Sequence, residues 1–283
     1  MNYFEHKQYS AQEIRQGVWH IHDATQNNIA GAHEDGSFNN TSSIYVIEDE
    51  NQVLVIDLGN PYEDNHLREI VNMIAKDRNI QVAITHHHFD HIGALPQFQD
   101  CPIYVPKNDP INDVKHQVLI DEGDKIQLDH LCFEVLDAKG HTVGSLAFYE
   151  RNQGILATGD AFGSSYVWLL FMPDVLNVYQ QTLDKILQQL NHAQNILFLC
   201  GHRYQQQITT VKGIHPLSPK NPNMNIQYLK DMRTLVDQIL DETAKSHEFQ
   251  AFGRQDLRAY TYGCAEIDTY LLGHDPIILE EEK

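Results

Sequence analysis

Residues 85–93 read Thr85-His86-His87-His88-Phe89-Asp90-His91-Ile92-Gly93 and place five potential metal-binding side chains within six positions. The stretch follows residues 80–85, an apolar run that is typical of a buried strand. Open α/β sheets hold their ligands beyond the carboxyl ends of such strands. Side chains two positions apart in a turn can converge, so we expect His86 and His88 to share one metal ion and Asp90 and His91 to face a second. The alternative is a polar loop that is rich in histidine but binds no metal.

Three later segments each place a further donor beside a predicted strand. They read Gly140-His141-Thr142-Val143-Gly144-Ser145, Thr158-Gly159-Asp160-Ala161-Phe162-Gly163 and Cys200-Gly201-His202-Arg203. A single histidine next to glycine is more typical of a turn than of a metal site. Together, however, His141, Asp160 and His202 supply the donors that the first cluster lacks. Cys200 ends an apolar run, and we expect it in the core rather than at the metal.

The rest of the chain predicts strands that alternate with helices. We expect strands at residues 17–22, 43–48, 52–57 and 145–149, helices at 66–76, 178–190 and 225–246, and closing strands at 258–267. The sequence shows no low-complexity segment, short repeat or long linker. We therefore expect a single α/β domain over residues 1–283. Its motifs lie in a core at about 17–205, followed by a C-terminal helix and closing strands at about 206–283.

Composition excludes several classes of protein. The 283 residues include 20 Lys and Arg against 39 Asp and Glu, a net charge of −19, which counts against nucleic-acid binding. A mean hydropathy of −0.42 and the lack of a long apolar run count against a membrane span. Residues 1–8 lack the pattern of a secretory signal. The four cysteines form no C-x-x-C pair and are typical of reduced thiols, so we expect a cytoplasmic protein.

The ordered motifs H-x-H-x-D-H, G-H-T-x-G-S, G-D and G-H over residues 86–202 resemble those of the metallo-β-lactamase superfamily. The resemblance implies a four-layer αββα sandwich with metals at one edge, between two sheets. It also implies two ligand sets: His86, His88 and His141 for the first metal, and Asp90, His91 and His202 for the second. Asp160 would bridge both metals, and Asp57 would orient the histidine-rich loop from behind the ligands.

The implied chemistry is hydrolysis at a dinuclear centre. Two divalent ions with Asp90, Asp160 and a bridging hydroxide leave the site near +1, which favours anionic substrates. We assign the catalytic roles to Asp90 and Asp160, because they hold the metals that activate water. Imidazole and carboxylate donors suit zinc, although iron or manganese remain alternatives.

Differences between this sequence and other branches of the superfamily narrow the range of expected substrates. Asp160 at the bridging position counts against antibiotic β-lactam hydrolysis, and the diiron flavoproteins carry Glu where this chain has His88. We therefore expect a glyoxalase II-like or lactonase-like hydrolase of a small ester, thioester or lactone. A metal-binding sensor or regulatory protein and an iron-dependent oxidoreductase are the alternatives. Arg203 and Tyr204 are candidate substrate contacts, and the protein is a candidate homodimer.

Other features receive plainer interpretations. Residues 33–40 and 164–172 are candidate lids, although we favour burial for the apolar residues of the second segment. We expect His20 and His22 on an exposed strand face and His87 outside the ligand set. His6, His66, His116, His130 and His247 are interpreted as scattered, without partners at ligand spacing. Residues 280–282 read as a solvated acidic tail.

Overall fold

A computed structural model describes residues 2–23, 42–163, 166–203 and 224–278. Several sequence interpretations fall outside these ranges: the candidate lid at 33–40, Ser164 and Ser165, the candidate substrate contact Tyr204, and the acidic tail at 280–282. The single-domain interpretation stays a prediction.

The first sheet contains eight strands within the described ranges, and each pairs with its neighbour in chain order. They are β1 (Tyr3–His6), β2 (Tyr9–Arg15), β3 (Val18–His22), β4 (Ser43–Glu48), β5 (Gln52–Ile56), β6 (Asn79–Ala83), β7 (Ile103–Pro106) and β8 (Gln117–Ile120). Strands β1 to β5 pair antiparallel, whereas β5 to β8 pair parallel. The parallel strands therefore end at one edge, where the chain leaves β6 for Thr85 and His86.

The second sheet has the order β14-β12-β11-β10-β9 in the part of the chain that the structure describes. Its strands are β9 (Lys125–Gln127), β10 (Cys132–Asp137), β11 (Leu146–Glu150), β12 (Ile155–Gly159) and β14 (Leu197–Cys200). Strands β12 and β14 are parallel, so Asp160 and His202 follow strands that end at the same edge.

A smaller sheet extends this half of the molecule, in the order β13-β17-β16-β15. It is formed by β13 (Val167–Leu169), β15 (Ser246–Ala251), β16 (Arg254–Tyr262) and β17 (Ala265–Tyr270). Strand β13 pairs parallel with β17, which attaches the C-terminal strands to the segment that follows Asp160.

Helices cover the outer faces of the two large sheets. The described residues form α1 (Leu67–Ala75), α2 (Phe89–Ile92), α3 (Val175–Gln189) and α4 (Ile226–Leu240). One buried core lies beneath α1, a second beneath α3 and α4, and a third between the sheets, where Tyr45 and Ile56 meet Phe133 and Phe148. This order of layers confirms the αββα prediction. No helix among the described residues is long and apolar enough to cross a membrane.

Two elements end or begin differently from the prediction. The helix predicted at 225–246 ends at Leu240, because Glu242 takes a left-handed φ of 56° and the amides of Thr243 and Ala244 bond back to the Gln238 carbonyl. Strand β15 then begins at Ser246. The helix predicted at 178–190 begins three residues earlier, at Val175.

The second candidate lid contains a strand. Val167–Leu169 is β13, and the Leu169 and Leu170 side chains are fully buried, which confirms the burial we favoured for these two residues. Tyr166, Trp168 and Phe171 are only half-buried, so for them that expectation is wrong. The exposed position predicted for His20 is wrong, since its side chain is only 5% exposed. Because β3 is an inner strand, His20 stacks on Tyr45 at 5.2 Å and bonds Ser43 Oγ at 2.8 Å.

The interpretation of His6 and His66 as partnerless is also wrong. His6 Nε2 lies 2.6 Å from Glu69 Oε2, and His66 Nδ1 lies 2.9 Å from Glu69 Oε1. His66 Nε2 lies 3.0 Å from Asp64 Oδ2. The cluster ties β1 to the start of α1, a contact across about 60 positions of sequence that spacing does not reveal.

This cluster makes stability depend on pH. The bonds to Glu69 and Asp64 raise the pKa of His66 above its ordinary value, so the folded chain holds that proton more tightly than the unfolded chain. The stabilisation is complete below the unfolded pKa of about 6.5 and is lost as pH rises through the raised folded pKa. We expect His66→Gln to lower the melting temperature at about pH 5 and to change it less at about pH 8.

Thermal denaturation across this range tests the prediction. His130→Gln is the matched control, because His130 also meets a carboxylate, Glu50, at 3.0 Å but is 71% exposed. A His66→Gln difference that stays constant with pH would contradict the assignment.

Candidate metal centre

The motif residues converge where strands of both large sheets end. His86 and His88 follow β6, Asp160 follows β12 and His202 follows β14. His141 lies in the turn between β10 and β11. The Leu146 amide also bonds the Thr85 carbonyl at 2.9 Å, which links the two sheets beside the site.

The first group consists of His86, His88 and His141. Their ligand atoms all lie within 4.8 Å of one another. His141 Nε2 is 2.9 Å from His88 Nδ1, and the His86 ring centroid is 4.7 Å from that of His88 and 5.0 Å from that of His141. Three imidazoles from two loops therefore face one point.

The second group consists of Asp90, His91 and His202, within the same 4.8 Å limit. Helix α2 presents Asp90 and His91 side by side. His202 Nε2 lies 3.5 Å from Asp90 Oδ2, and His91 Nε2 lies 3.7 Å from the same oxygen. A third set within the same limit, His86, His91 and Asp160, connects the two groups, and the division of ligands between two metals stays a prediction.

Asp160 lies between the two groups. Its Oδ2 is 3.6 Å from His141 Nε2 and 3.0 Å from His202 Nε2, and its Oδ1 is 3.4 Å from His91 Nε2. One carboxylate thus reaches a member of each group, which is the position required of a bridging ligand.

The buried donor atoms fit metal ions. His86 Nε2, His91 Nε2 and Asp160 Oδ1 are buried and make no hydrogen bond. A buried polar atom without a partner costs about 1–3 kcal/mol, and several such atoms aimed at one place are expected where a cation binds. Imidazole and carboxylate donors suit zinc, iron or manganese, so the donor set supports divalent metal binding.

Electrostatics divides the site into two halves. Burial lowers the pKa of both His86 and His88 well below that of an ordinary histidine, which keeps these imidazoles in the neutral form that binds metal. Burial also acts to lower the pKa of His91, but Asp160, Asp90 and Asp57 outweigh it and raise that pKa. The acidic half therefore favours positive charge, as a proton or as a cation.

Asp57 holds the histidine loop from beneath. Its Oδ1 accepts the Thr85 amide at 2.8 Å, and its Oδ2 accepts the Thr85 hydroxyl at 2.8 Å and His91 Nδ1 at 2.9 Å. Because His91 donates through Nδ1, its Nε2 is left free to bind a metal. This is the orienting position that the resemblance implies for Asp57.

Two positioning contacts were missed by sequence reasoning. The Trp168 carbonyl accepts His141 Nδ1 at 2.9 Å, and a backbone carbonyl leaves no mark in the sequence. Asp109, which is 4% exposed, accepts the Thr142 hydroxyl at 2.7 Å and lies 2.7 Å from His87 Nδ1. Asp109 therefore joins the two histidine loops, and His87 turns towards it. A carboxylate far from any motif gives no signal of this role.

The remaining predicted residues take varied positions. Arg203 donates its amide to Ser43 Oγ at 2.9 Å and its guanidinium to the Phe198 carbonyl at 3.2 Å, so the side chain runs back along β14. Its contact with substrate stays a prediction, as does that of Tyr204. Cys200 is fully buried, which confirms its place in the core.

Comparison with known proteins adds to this geometry. Residues 39–189 match the family model of the metallo-beta-lactamase superfamily, which covers more than half of the chain. The chain belongs to this superfamily.

Curated relatives match part of the chain. A hydroxyacylglutathione hydrolase of Legionella pneumophila (strain Paris) is 30% identical over 159 residues, 53% of this chain and 58% of the relative. One from Aeromonas hydrophila is 29% identical over 189 residues, 64% of this chain and 68% of the relative. The chain therefore spans little more than half the length of the first of these curated relatives.

Solved structures show the same architecture. VMB-1 at pH 5.5 aligns with a TM-score of 0.60 and 17% identity, covering 83% of this chain and 100% of that one. A metallo-beta-lactamase from Pontibacter korlensis aligns with a TM-score of 0.59 and 16% identity, covering 81% and 99%. At these identities the likeness shows the fold alone.

The role of Asp57 can be tested without disturbing its backbone. Asp57 has a left-handed φ of 59°, which asparagine tolerates. Asp57→Asn removes the charge that holds His91, and we expect metal affinity to fall about 10- to 100-fold. Competition with a fluorescent chelator measures this. Asp113→Asn is the matched control, since Asp113 has the same φ of 59° but is exposed; equal losses in both variants would refute the role.

Gly201 leaves no room for a side chain beside the bridging position. A Cβ there would overlap Asp160 Oδ1 and lie 2.9 Å from His91 Cε1. We expect Gly201→Ala to displace Asp160 and to lower the amount of metal bound per chain. Elemental analysis provides the measurement. Gly123→Ala is the control for loss of stability alone: nothing lies within 4 Å of its Cβ, but its φ of +92° strains any side chain, so this variant should lose stability and keep its metal. Unchanged metal content in Gly201→Ala would contradict the expectation.

Proposed function

We propose that this protein is a metal-dependent hydrolase with two divalent ions, zinc in the first instance, that cleaves a small ester, thioester or lactone. One observation carries the proposal: two groups of three ligands share the Asp160 carboxylate between them. A site of two metals uses such a bridging carboxylate to keep both ions within reach of one reacting bond.

The proposed metal ligands are the residues of the two groups described above, together with Asp160. His86, His88 and His141 would hold one ion, Asp90, His91 and His202 the other, and Asp160 both. When bound, such ions would lower the pKa of water towards about 7, which supplies a nucleophile at neutral pH, and would polarise the substrate carbonyl. The chain contributes the orientation: Asp57 fixes His91, and the Trp168 carbonyl fixes His141.

Membership of the superfamily supports hydrolysis, and the curated relatives support an acyl substrate. These relatives are hydroxyacylglutathione hydrolases, a name that describes cleavage of an acylated glutathione. The seven-donor set also serves esters and lactones, so the acyl carbonyl is the shared feature we propose. With two divalent ions bound, the site would be positively charged. It would therefore favour a small substrate that carries an anionic group or develops an oxyanion at the reacting carbonyl.

Metal analysis and catalysis together test the proposal. We expect protein purified without added metal to contain about two zinc ions per chain and to hydrolyse members of a panel of thioesters, esters and lactones. Asp160→Ala should lose at least one ion and lower kcat/KM by about a hundredfold or more, because the bridging carboxylate is gone. Inductively coupled plasma analysis and steady-state kinetics are the measurements.

Asp231→Ala is the matched control. Asp231 is a buried, hydrogen-bonded aspartate on α4 that accepts the Cys264 amide at 3.0 Å, remote from the ligands. It should keep both ions and full activity. Two ions without any hydrolysis would favour the sensor alternative, and dominant iron with visible absorption would favour the oxidoreductase. Either result would overturn the proposal, as would a metal content that Asp160→Ala leaves unchanged.

A further inference from the structure

An aromatic surface begins directly at the ligand histidines. The Phe171 ring lies edge-on to His88, with centroids 5.1 Å apart, and to His141, with centroids 5.3 Å apart. Phe171 is only half-buried. It therefore stands beside the first metal group with part of its ring open to a ligand.

The surface continues onto the C-terminal sheet. The Phe252 ring lies 5.9 Å from Phe171 and 5.6 Å from Trp168, and it is 52% exposed. Tyr166 extends the row, 6.2 Å from Trp168. Two further exposed apolar side chains lie close to ligands in the sequence: Phe89, between His88 and Asp90, is 64% exposed, and Val143, two residues after His141, is 48% exposed.

Phe252 has a left-handed backbone conformation that is unfavourable for an aromatic residue. It forms, with Gly253, the two-residue turn between β15 and β16, with φ values of 53° and 69°. Turns of this kind favour Asn-Gly, because both central residues need a positive φ. An aromatic residue there is strained, and strain retained beside a site points to a function for the side chain.

The lack of charged side chains in these two segments favours an apolar ligand. Residues 166–172 read Tyr-Val-Trp-Leu-Leu-Phe-Met, and residues 249–253 read Phe-Gln-Ala-Phe-Gly, without a charged side chain. The next cation, Arg254, is held by Asp256 at 2.7 Å and by the Asp275 carbonyl at 2.9 Å. Among the described residues of this row, a polar conjugate with several carboxylates would find no cationic side chain to pair with.

We propose that Phe171 and Phe252 bind the acyl chain of the substrate, so that the enzyme prefers an ester, thioester or lactone with a medium-length apolar acyl group over a glutathione conjugate. This specificity rests on the hydrolase activity proposed above. The reacting carbonyl lies at the metal groups, and the chain extends over Phe171 towards the turn.

A substrate series tests the preference. Thioesters that share one leaving thiol and carry acetyl, butanoyl, hexanoyl or octanoyl groups are compared by kcat/KM, with lactoylglutathione alongside. Burial of each methylene is worth up to about fourfold, and a half-open surface should give about twofold per methylene. We expect kcat/KM to rise along the series and to exceed that of lactoylglutathione.

Phe252→Asn separates function from folding. Asparagine suits the turn, so this variant should melt at the same or a higher temperature than the wild type, while its kcat/KM no longer rises with chain length. Its kcat/KM should fall more for the octanoyl thioester than for the acetyl thioester, because the longer chain reaches further along the surface. Tyr262→Asn is the matched control: Tyr262 is a 40% exposed aromatic residue at the far end of β16, about 26 Å along the strand.

Binding provides a readout that needs no metal. Trp168 contacts Phe252, so octanoate should change the tryptophan fluorescence of metal-free protein more than acetate does, and Trp168→Phe should abolish the change. Phe252→Asn should weaken octanoate binding, and Tyr262→Asn should not.

The outcomes separate this inference from the hydrolase proposal. Hydrolysis that is independent of chain length, or that Phe252→Asn lowers equally for acetyl and octanoyl thioesters, overturns the acyl surface and leaves the hydrolase standing. A higher kcat/KM for lactoylglutathione than for octanoyl thioester also overturns it. If nothing is hydrolysed, fluorescence decides: octanoate binding that depends on Phe252 supports the surface, and its absence refutes it.

Discussion

The candidate metal centre depends on one buried carboxylate, Asp57. The side chain is 2% exposed, and it accepts the Thr85 amide, the Thr85 hydroxyl and His91 Nδ1. Burying a carboxylate is costly unless donors satisfy it, so these three bonds are mutually required. Through them, the end of β5 fixes the end of β6 and the start of α2, which carry four of the donors. These contacts within the protein therefore orient the ligand loop.

The second constraint is steric. The histidine loop of the first sheet and the Asp160 segment of the second can approach only where the chain has no side chain. A Cβ at Gly159 would strike the Thr85 side chain, and one at Gly201 would strike Asp160. Both glycines sit next to donors. In the G-D and G-H motifs, a ligand thus follows a glycine. Because the glycine has no side chain, the ligand can approach the other sheet.

Sequence reasoning predicted the parts of the site that are local. A strand that runs into a donor is visible in the alternation of residues, and the spacing within residues 86–91 pairs His86 with His88 and Asp90 with His91. The complete ligand groups were implied by the resemblance to the metallo-β-lactamase superfamily. What it missed is contact between distant segments. The Trp168 carbonyl behind His141 has no side-chain signature, and Asp109 carries no motif. The His6 and His66 cluster joins β1 to α1, and the burial of His20 follows from β3 being an inner strand. These facts come from which strands are neighbours, which periodicity does not give.

The metal ligands and the Phe252 turn of the proposed acyl surface come from different parts of the chain, and this division has a physical consequence. The ligands and their supports lie between Asp57 and His202, and within that span the Trp168 carbonyl couples them to β13. Strand β13 pairs with β17, and β17 carries β16 and the Phe252 turn. The Trp168 indole also donates to the buried Asp268 of β17 at 3.0 Å. The same residue therefore orients a ligand through its backbone and anchors the C-terminal sheet through its side chain. A change in the turn can alter which acyl group binds while the ligand geometry, fixed by Asp57 and by that carbonyl, is retained.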